Sequence, residues 1–489
     1  MQGTGFRDAA SVVFAICAVV LCSAPSAWPA DTVLYDFNGL AAAPYSTLIS
    51  DQYGNLYGTT LYGGDYNCNA DSGCGTVFVL CAPNVPGNSD LYPCTTGNPL
   101  WEEHELHNFA GGKDGAYPFG SVLFLGAGSR GAFTLYGTTY YGGQSQCNDG
   151  VELGCGTVFE LCAPHNDGGC GGANKWTERV VHSFTGGKKD GSYPFAGVIT
   201  DGSGSLFGTT VYGGGKGNCK IEMENANDYC GTVFMLKGGR PWTFRETIFH
   251  RFTGARPACT PYVPAGCDGA NPYAGLCCNT QYGVSYFYGT TFTGGDPNAQ
   301  VGTMFSVKNA TPFVETELYN FRASSGEDGA NPTADVILYP KYFGCSTIIC
   351  LVGSASAGGP YNGGIVFELK QNGPPWTEQV LYPFCLKGCG DGAVPFAGLI
   401  VDADGNLYGT TTQGGNLQNC GGVGCGTVFD LEPRNGRGYW PERVLNSFAG
   451  SLADGANSYA GVTFGPPPEV YGTTIEGGSN GAGIAYSVP

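Results

Sequence analysis

The sequence predicts an all-β fold, a seven-bladed β-propeller of four-stranded antiparallel blades. Three observations carry that expectation. A [Tyr/Phe]-Gly-Thr-Thr marker after an apolar residue begins at Tyr57, Tyr136, Phe207, Tyr288, Tyr408 and Tyr471, and a degenerate Leu-Val-Gly-Ser-Ala places Val352 in the one gap. Each marker sits among further short apolar runs, four per repeat, separated by Asp- and Gly-rich turns, as antiparallel strands joined by tight loops require. Self-similarity over nearly the whole chain marks a closed array that uses all this length as one structure.

Taken in order, Met1 to Ala30 reads as a secretory signal peptide, with Arg7, an apolar core from Ser11 to Cys22, and small residues at Ala24 to Ala27 and at Ala30. That core is shorter than the ~20 residues needed to span a bilayer. Residues 31–489 then form a single propeller domain, and no other stretch is long and apolar enough to span a membrane. The C-terminus falls directly after a strand.

Within each repeat the Pro-led first strand, Phe396 to Asp402 in the sixth, is apolar on both faces and is expected innermost. The Gly-Thr-Thr strand comes second and a Gly-Thr-Val-Phe-like strand third. The fourth, as in Glu442-Arg-Val-Leu-Asn-Ser-Phe448, alternates and carries charge, which suits an outer edge. The seventh repeat lacks a fourth strand, and Thr32 to Phe37 has its pattern at the other end of the chain. The ring is therefore expected to close by this segment pairing beside Ile484 to Val488.

The formal charge of −18 sets nucleic acid and anionic membranes aside through repulsion, and leaves cations, neutral glycans or basic partners. Of 22 cysteines, Cys17 and Cys22 lie in the leader and an even number remains, mostly in close pairs, as disulfides of an oxidising compartment do. The expected pairs are Cys68/Cys74, Cys81/Cys94, Cys147/Cys155, Cys162/Cys170, Cys219/Cys230, Cys259/Cys267, Cys385/Cys389 and Cys420/Cys425. Cys277, Cys278, Cys345 and Cys350 are left unassigned.

The phrase from Pro395 to Tyr408, PFAGLIVDADGNLY, resembles NHL-type and two-component-regulator propeller repeats. The wider set of GNLYGTT at Asn406 onward, Gly-Gly at Gly414, GTVF at Gly426 and DGAxP at Asp391 resembles the GloVer tandem-repeat family of secreted bacterial proteins. The resemblance implies a surface or extracellular repeat protein without an assigned reaction, often carrying a C-terminal anchor. Here the sequence departs from the family in ending at its last strand.

Two kinds of loop should share one face. The turn into the first strand carries Asp-Gly at Asp114, Asp190, Asp268, Asp328, Asp391 and Asp454. These carboxylates either ring the channel mouth around Ca²⁺, the one cofactor the sequence offers, or cap their own turns as Asx residues. The loop after the second strand carries Gly-Gly, preceded by Tyr62, Tyr141 and Tyr212 in the first three repeats. Tyrosines on a stiff, wet face stack on sugar rings and are the candidate binding surface, although packing between blades would use them equally well. In the fourth strands an acid (Asp31, Glu103, Glu178, Glu246, Glu315, Glu378, Glu442) precedes by four residues Tyr35, His107, His182, His250, Tyr319, Tyr382 or Asn446. The expectation there is an aromatic filler beneath a solvated acid, with neighbouring sites too far apart to share a metal.

No His-Glu-x-x-His element is present. The reading is a secreted, monomeric binding or scaffold module for glycan or cell-surface protein. A polysaccharide hydrolase or lyase using two Asp-Gly carboxylates and a purely structural envelope protein are the alternatives.

Overall fold

The computed structural model describes residues 31–39, 41–65, 68, 72–83, 93–94, 98–125, 133–143, 147, 153–164, 175–216, 229–239, 243–254, 268–281, 284–296, 298–323, 328–340, 349–371, 376–434, 438–452, 454–465 and 469–489. The proposed leader lies outside them. Seven antiparallel sheets, each with inner, second, third and outer strands, form the blades of a propeller; six follow chain order and the seventh takes its outer strand from the N-terminal segment. In the first blade these are Ile49–Ser50, Leu56–Gly63, Thr76–Cys81 and Glu102–Asn108. In the sixth they are Ile400–Val401, Leu407–Thr411, Thr427–Leu431 and Glu442–Ser447.

Most inner strands join their ladder over two or three residues only, fewer than the sequence suggested, because the residues before them bond sideways to the preceding blade. The Gly-Thr-Thr marker explains how. Its first Thr donates to an inner-strand carbonyl of the next blade: Thr59 Oγ1 to Pro118 O at 2.9 Å, Thr138 to Ala196 at 2.9 Å, Thr209 to Ala274 at 2.7 Å, Thr410 to Ala460 at 2.7 Å. In the degenerate fifth repeat Ser354 does the same to Ala397 at 3.0 Å, so the motif's function survives its loss of sequence. The second Thr joins hydroxyls across the blade, as in Thr60 with Thr76 at 2.9 Å. The marker's Gly leaves room for the Phe of GTVF, since a Cβ on Gly58 would lie 2.7 Å from the Phe78 ring.

The core lies between blades. The Phe ending each outer strand meets the aromatic ring of the next blade's third strand edge-on, from Phe109 with Phe159 (5.2 Å between centroids) round to Phe448 with Tyr486 (5.0 Å). The same contact closes the ring, Phe37 with Phe78 at 5.2 Å. Thr32–Asp36 pairs antiparallel with Ile484–Val488, Thr32 opposite Ser487 and Asp36 opposite Ile484, so the N-terminal strand completes the seventh blade as expected. Phe37 stands just past the ladder and donates its N–H to Gly483 O at 3.0 Å.

Every third-to-outer pairing is interrupted by one extra residue in the outer strand, at the same place in all seven blades. The extra residue is Leu106 in the first blade and Val181 in the second. A bulge of this kind shifts the alternation of side chains by one and re-aims the residues beyond it.

Disulfides join Cys68 to Cys74, Cys81 to Cys94, Cys147 to Cys155, Cys385 to Cys389 and Cys420 to Cys425. Cys162, Cys230 and Cys350 are also disulfide-bonded. Cys170, Cys219, Cys345, Cys259 and Cys267 lie outside the described residues. Such bonds place the chain in an oxidising compartment rather than a reducing cytoplasm. Among the described residues no helix is long and apolar enough to cross a membrane.

Candidate functional site

The turns entering the inner strands put one residue in left-handed backbone, just before the proline in six of the seven repeats. In the fourth, fifth and seventh repeats this residue is Asn271, Asn331 or Asn457, which tolerates positive φ; in the first it is Ala43, in the sixth Val394 (φ 57°), and in the second and third Tyr117 (φ 57°) and Tyr193 (φ 58°). The two tyrosines interleave with those of the Gly-Gly loops. Ring centroids run Tyr62 to Tyr117 at 6.0 Å, Tyr117 to Tyr141 at 5.8 Å, Tyr141 to Tyr193 at 5.6 Å and Tyr193 to Tyr212 at 5.8 Å, every contact edge-on. Tyr212 continues through its hydroxyl, 3.3 Å from that of Tyr273. The structure thus brings Tyr62, Tyr141 and Tyr212 into one arc across four blades, with Tyr117, Tyr193 and Tyr273 as members that sequence reasoning missed. Tyr62 stands at the exposed end, 41% accessible, and Tyr193 is buried at the middle.

Inside the arc lies the axis. Tyr45, Phe119, Phe195, Tyr273, Phe396 and Tyr459, one from each of six inner strands, converge on it, and Tyr45 touches four of the others at 5.0 to 6.2 Å. The fifth repeat supplies Thr333, whose hydroxyl donates to Phe396 O at 2.8 Å. These residues line a cavity of about 280 Å³ that continues along the axis to Leu123 and Ile199. Two positions after the rings, the inner strands carry Thr47, Ser121, Gly197, Gly275, Asp335, Gly398 and Gly461. Asp335 is the one carboxylate in the cavity wall. It is solvent-accessible but enclosed by protein, and its Oδ1 accepts the Gly275 N–H at 2.5 Å. Burial pushes its carboxyl above the usual range, against that donor. The sequence signal was its replacement of Gly in the Pro-x-x-Gly phrase.

None of the six Asp-Gly carboxylates lines this cavity. Each turns back on the outer strand it follows and accepts backbone N–H groups: Ala110 to Asp114 at 2.7 Å, Thr185 to Asp190 at 2.8 Å, Thr253 to Asp268 at 2.8 Å, Arg322 to Asp328 at 2.8 Å, Lys387 to Asp391 at 3.3 Å, Ala449 to Asp454 at 2.5 Å. Asx-type capping accounts for all six, in place of a shared cation ring.

Each of these aspartates also enters a seam between blades. His107, Asp114 and Glu178 of the next blade come together, as do His182, Asp190 and Glu246, and His250, Asp268 and Glu315. Tyr382 repeats the arrangement, donating to Asp391 at 2.7 Å and to Glu442 at 3.4 Å. The expected filler beneath a solvated acid is therefore corrected. The bulge sends the acid and the ring four residues later to opposite faces, so each meets a different neighbouring blade. Burial, then the charge of Asp114, pushes Glu178 up to about 8; burial, then Asp190, pushes Glu246 up to about 9. Asp190 is held below its usual range: burial opposes ionisation, but hydrogen bonds from His182, Glu246 and Thr185 outweigh it. A proton held by the glutamic acid and shared with the aspartate lets two carboxyl groups occupy one buried seam.

A family model described as the Gloeobacter/Verrucomicrobia repeat matches residues 223–486. The chain belongs to this family. Its repeats account for the propeller, and the marker residues are those that tie blade to blade. No curated protein matches the chain in sequence. Among solved structures, an α-L-arabinanase from Penicillium chrysogenum complexed with arabinobiose is 10% identical, with 94% of this chain and 97% of that one covered at a TM-score of 0.40. An α-L-arabinofuranosidase from Fusarium graminearum is 9% identical, with the same coverage and a TM-score of 0.37. A Trypanosoma rangeli sialidase in complex with sialic acid is 10% identical at a TM-score of 0.36, covering 83% of this chain and only 57% of the sialidase.

Proposed function

We propose that this member of the repeat family is a secreted binding module whose tyrosine arc holds a neutral glycan at the cell exterior. The observation that carries the reading is the continuity of the arc through Tyr117 and Tyr193, which stand at the left-handed position that Ala43, Asn271, Asn331, Val394 and Asn457 fill in the other repeats. The two tyrosine rings fill the gaps between Tyr62, Tyr141 and Tyr212. Aromatic faces stack on the apolar faces of sugars while hydroxyls bond their oxygens. The −18 charge favours neutral over acidic polysaccharide. The leader expected from the sequence of residues 1–30 and the disulfides support the extracellular setting.

The test is affinity electrophoresis of the purified chain through gels containing soluble neutral polysaccharides, followed by calorimetry on those that retard it. Tyr62→Ala and Tyr212→Ala should each weaken binding about tenfold, the worth of ~1.4 kcal/mol. Retardation by none of the polysaccharides, or equal retardation of both variants, would sink the reading.

A further inference from the structure

In three consecutive seams the partner of the two acids is an imidazole. His107 Nε2 lies 3.1 Å from Asp114 Oδ1; His182 Nε2 lies 3.7 Å from Asp190 Oδ2 and 4.0 Å from Glu246 Oε1; His250 Nε2 lies 3.2 Å from Asp268 Oδ1. In each group, with Glu178, Glu246 or Glu315 as third member, one ligand atom per residue falls within 4.8 Å of the other two. Around Zn²⁺, bonds of ~2.0–2.1 Å at tetrahedral angles set neighbouring ligand atoms roughly 3.3–3.4 Å apart. The measured separations bracket that value.

Buried acid oxygens that accept no hydrogen bond among the described residues occur both in seams with an imidazole, at Glu178 Oε1 and Glu246 Oε1, and in seams without one, at Glu103, Glu378 and Glu442 Oε1. A buried carboxylate oxygen requires a proton or a cation beside it. In the seam that has Tyr382 in place of histidine, Lys387 Nζ lies 2.6 Å from Glu442 Oε2.

We infer that the three imidazole-bearing seams are binding sites for a divalent first-row cation of the Zn²⁺ type, each held by one histidine nitrogen and two carboxylate oxygens. The aspartate and histidine come from one blade and its following turn, the glutamate from the next blade, so the ion clamps the first four blades in series. The imidazole argues against Ca²⁺, which prefers six to eight oxygen ligands.

The experiment uses the full chain, stripped with chelator and titrated with zinc chloride by calorimetry, with thermal unfolding in parallel. About three equivalents should bind and the melting temperature should rise by several degrees. His182→Tyr copies the residue that serves the same position as Tyr319 and Tyr382, and so keeps the seam's hydrogen bond to aspartate; it should remove one equivalent. The triple variant His107→Tyr, His182→Tyr, His250→Tyr should bind none and lose the thermal shift. A wild-type stoichiometry below one, or a triple variant that takes up as much zinc as wild type, overturns the assignment. Displacement of zinc by tenfold calcium would overturn it too.

Discussion

His182 and Glu178 stand four residues apart on one strand yet serve opposite seams, His182 with Asp190 and Glu246, Glu178 with His107 and Asp114. In a regular strand that spacing would put both on one face. Val181, the extra residue of the bulge, separates them. Deleting Val181 should restore simple alternation, strip two seams of a partner at once and destabilise the protein by on the order of 3 kcal/mol, as loss of a buried charged partner does. Val181→Ala keeps the bulge and should cost only about 1 kcal/mol. Urea unfolding of the two variants separates these outcomes.

The repeating pattern, the clasp and the strand order were legible because each rests on local spacing. The inner-strand residues Phe396 and Tyr459 looked like strand and turned out to be axial, because the pull of neighbouring blades is not written in one repeat. The seams were missed for a sharper reason. A bulge adds no signature residue, so Leu106 or Val181 reads as one more apolar position, and the face assignment of everything after it is inverted. Tyr117 and Tyr193 were hidden because a left-handed residue is recognised from sequence when it is Gly or Asn, and tyrosine conceals it.

The seams make stability depend on pH with a defined sign. Burial, then the charge of Asp328, pushes Glu378 up to about 8, and burial, then Asp454, pushes Asp31 up to about 7. The folded protein holds protons there that the unfolded chain, with ordinary carboxyls near 4, has released. Their contribution is complete below that ordinary range and is lost as pH rises through about 7 to 8. Each pKa unit is worth ~1.4 kcal/mol, so the loss at Glu378 is on the order of a few kcal/mol. Stability from urea curves should fall between pH 5 and pH 9, and Glu378→Gln, neutral at every pH, should flatten that fall; an unchanged slope would count against a shared proton.

The clasp should carry much of the fold's cooperativity. Phe37 is fully buried against Phe78 at the junction of the seventh and first blades. Phe37→Ala should cost roughly 3–5 kcal/mol. Removing residues 31–37 altogether would also leave Ile484–Val488 as an open, apolar edge. That truncation should elute as dimers or larger species in size-exclusion chromatography, where the intact chain should elute as a monomer.

Asp335 occupies a position that Gly197, Gly275, Gly398 and Gly461 fill elsewhere around the axis, so its carboxyl answers no need of the repeat. Asp335→Asn keeps an oxygen for the Gly275 N–H and removes the charge that burial opposes. The variant should be more stable than wild type by on the order of 1 kcal/mol at pH 8, with the gain shrinking as pH falls and the wild-type carboxyl takes up its proton. Equal stability at both pH values would show the carboxylate to be solvated through the cavity.

The strained tyrosines set fold against function in one measurement. Asn271, Asn331 and Asn457 show that the left-handed position before the inner strand is satisfied by a residue that tolerates it, and a bulky side chain there costs on the order of 1 kcal/mol or more. Tyr117→Asn and Tyr193→Asn should therefore relieve strain. Tyr193 is buried and touches Tyr140, Tyr141 and Tyr212, so its replacement also loses packing; Tyr117 is only half-buried and is the cleaner case. Tyr117→Asn should raise the melting temperature by a degree or more while breaking the link between Tyr62 and Tyr141 and weakening polysaccharide binding. A variant that is less stable than wild type would mean that Tyr117 is held in place for packing, and the arc would lose the observation that singles it out as a binding surface.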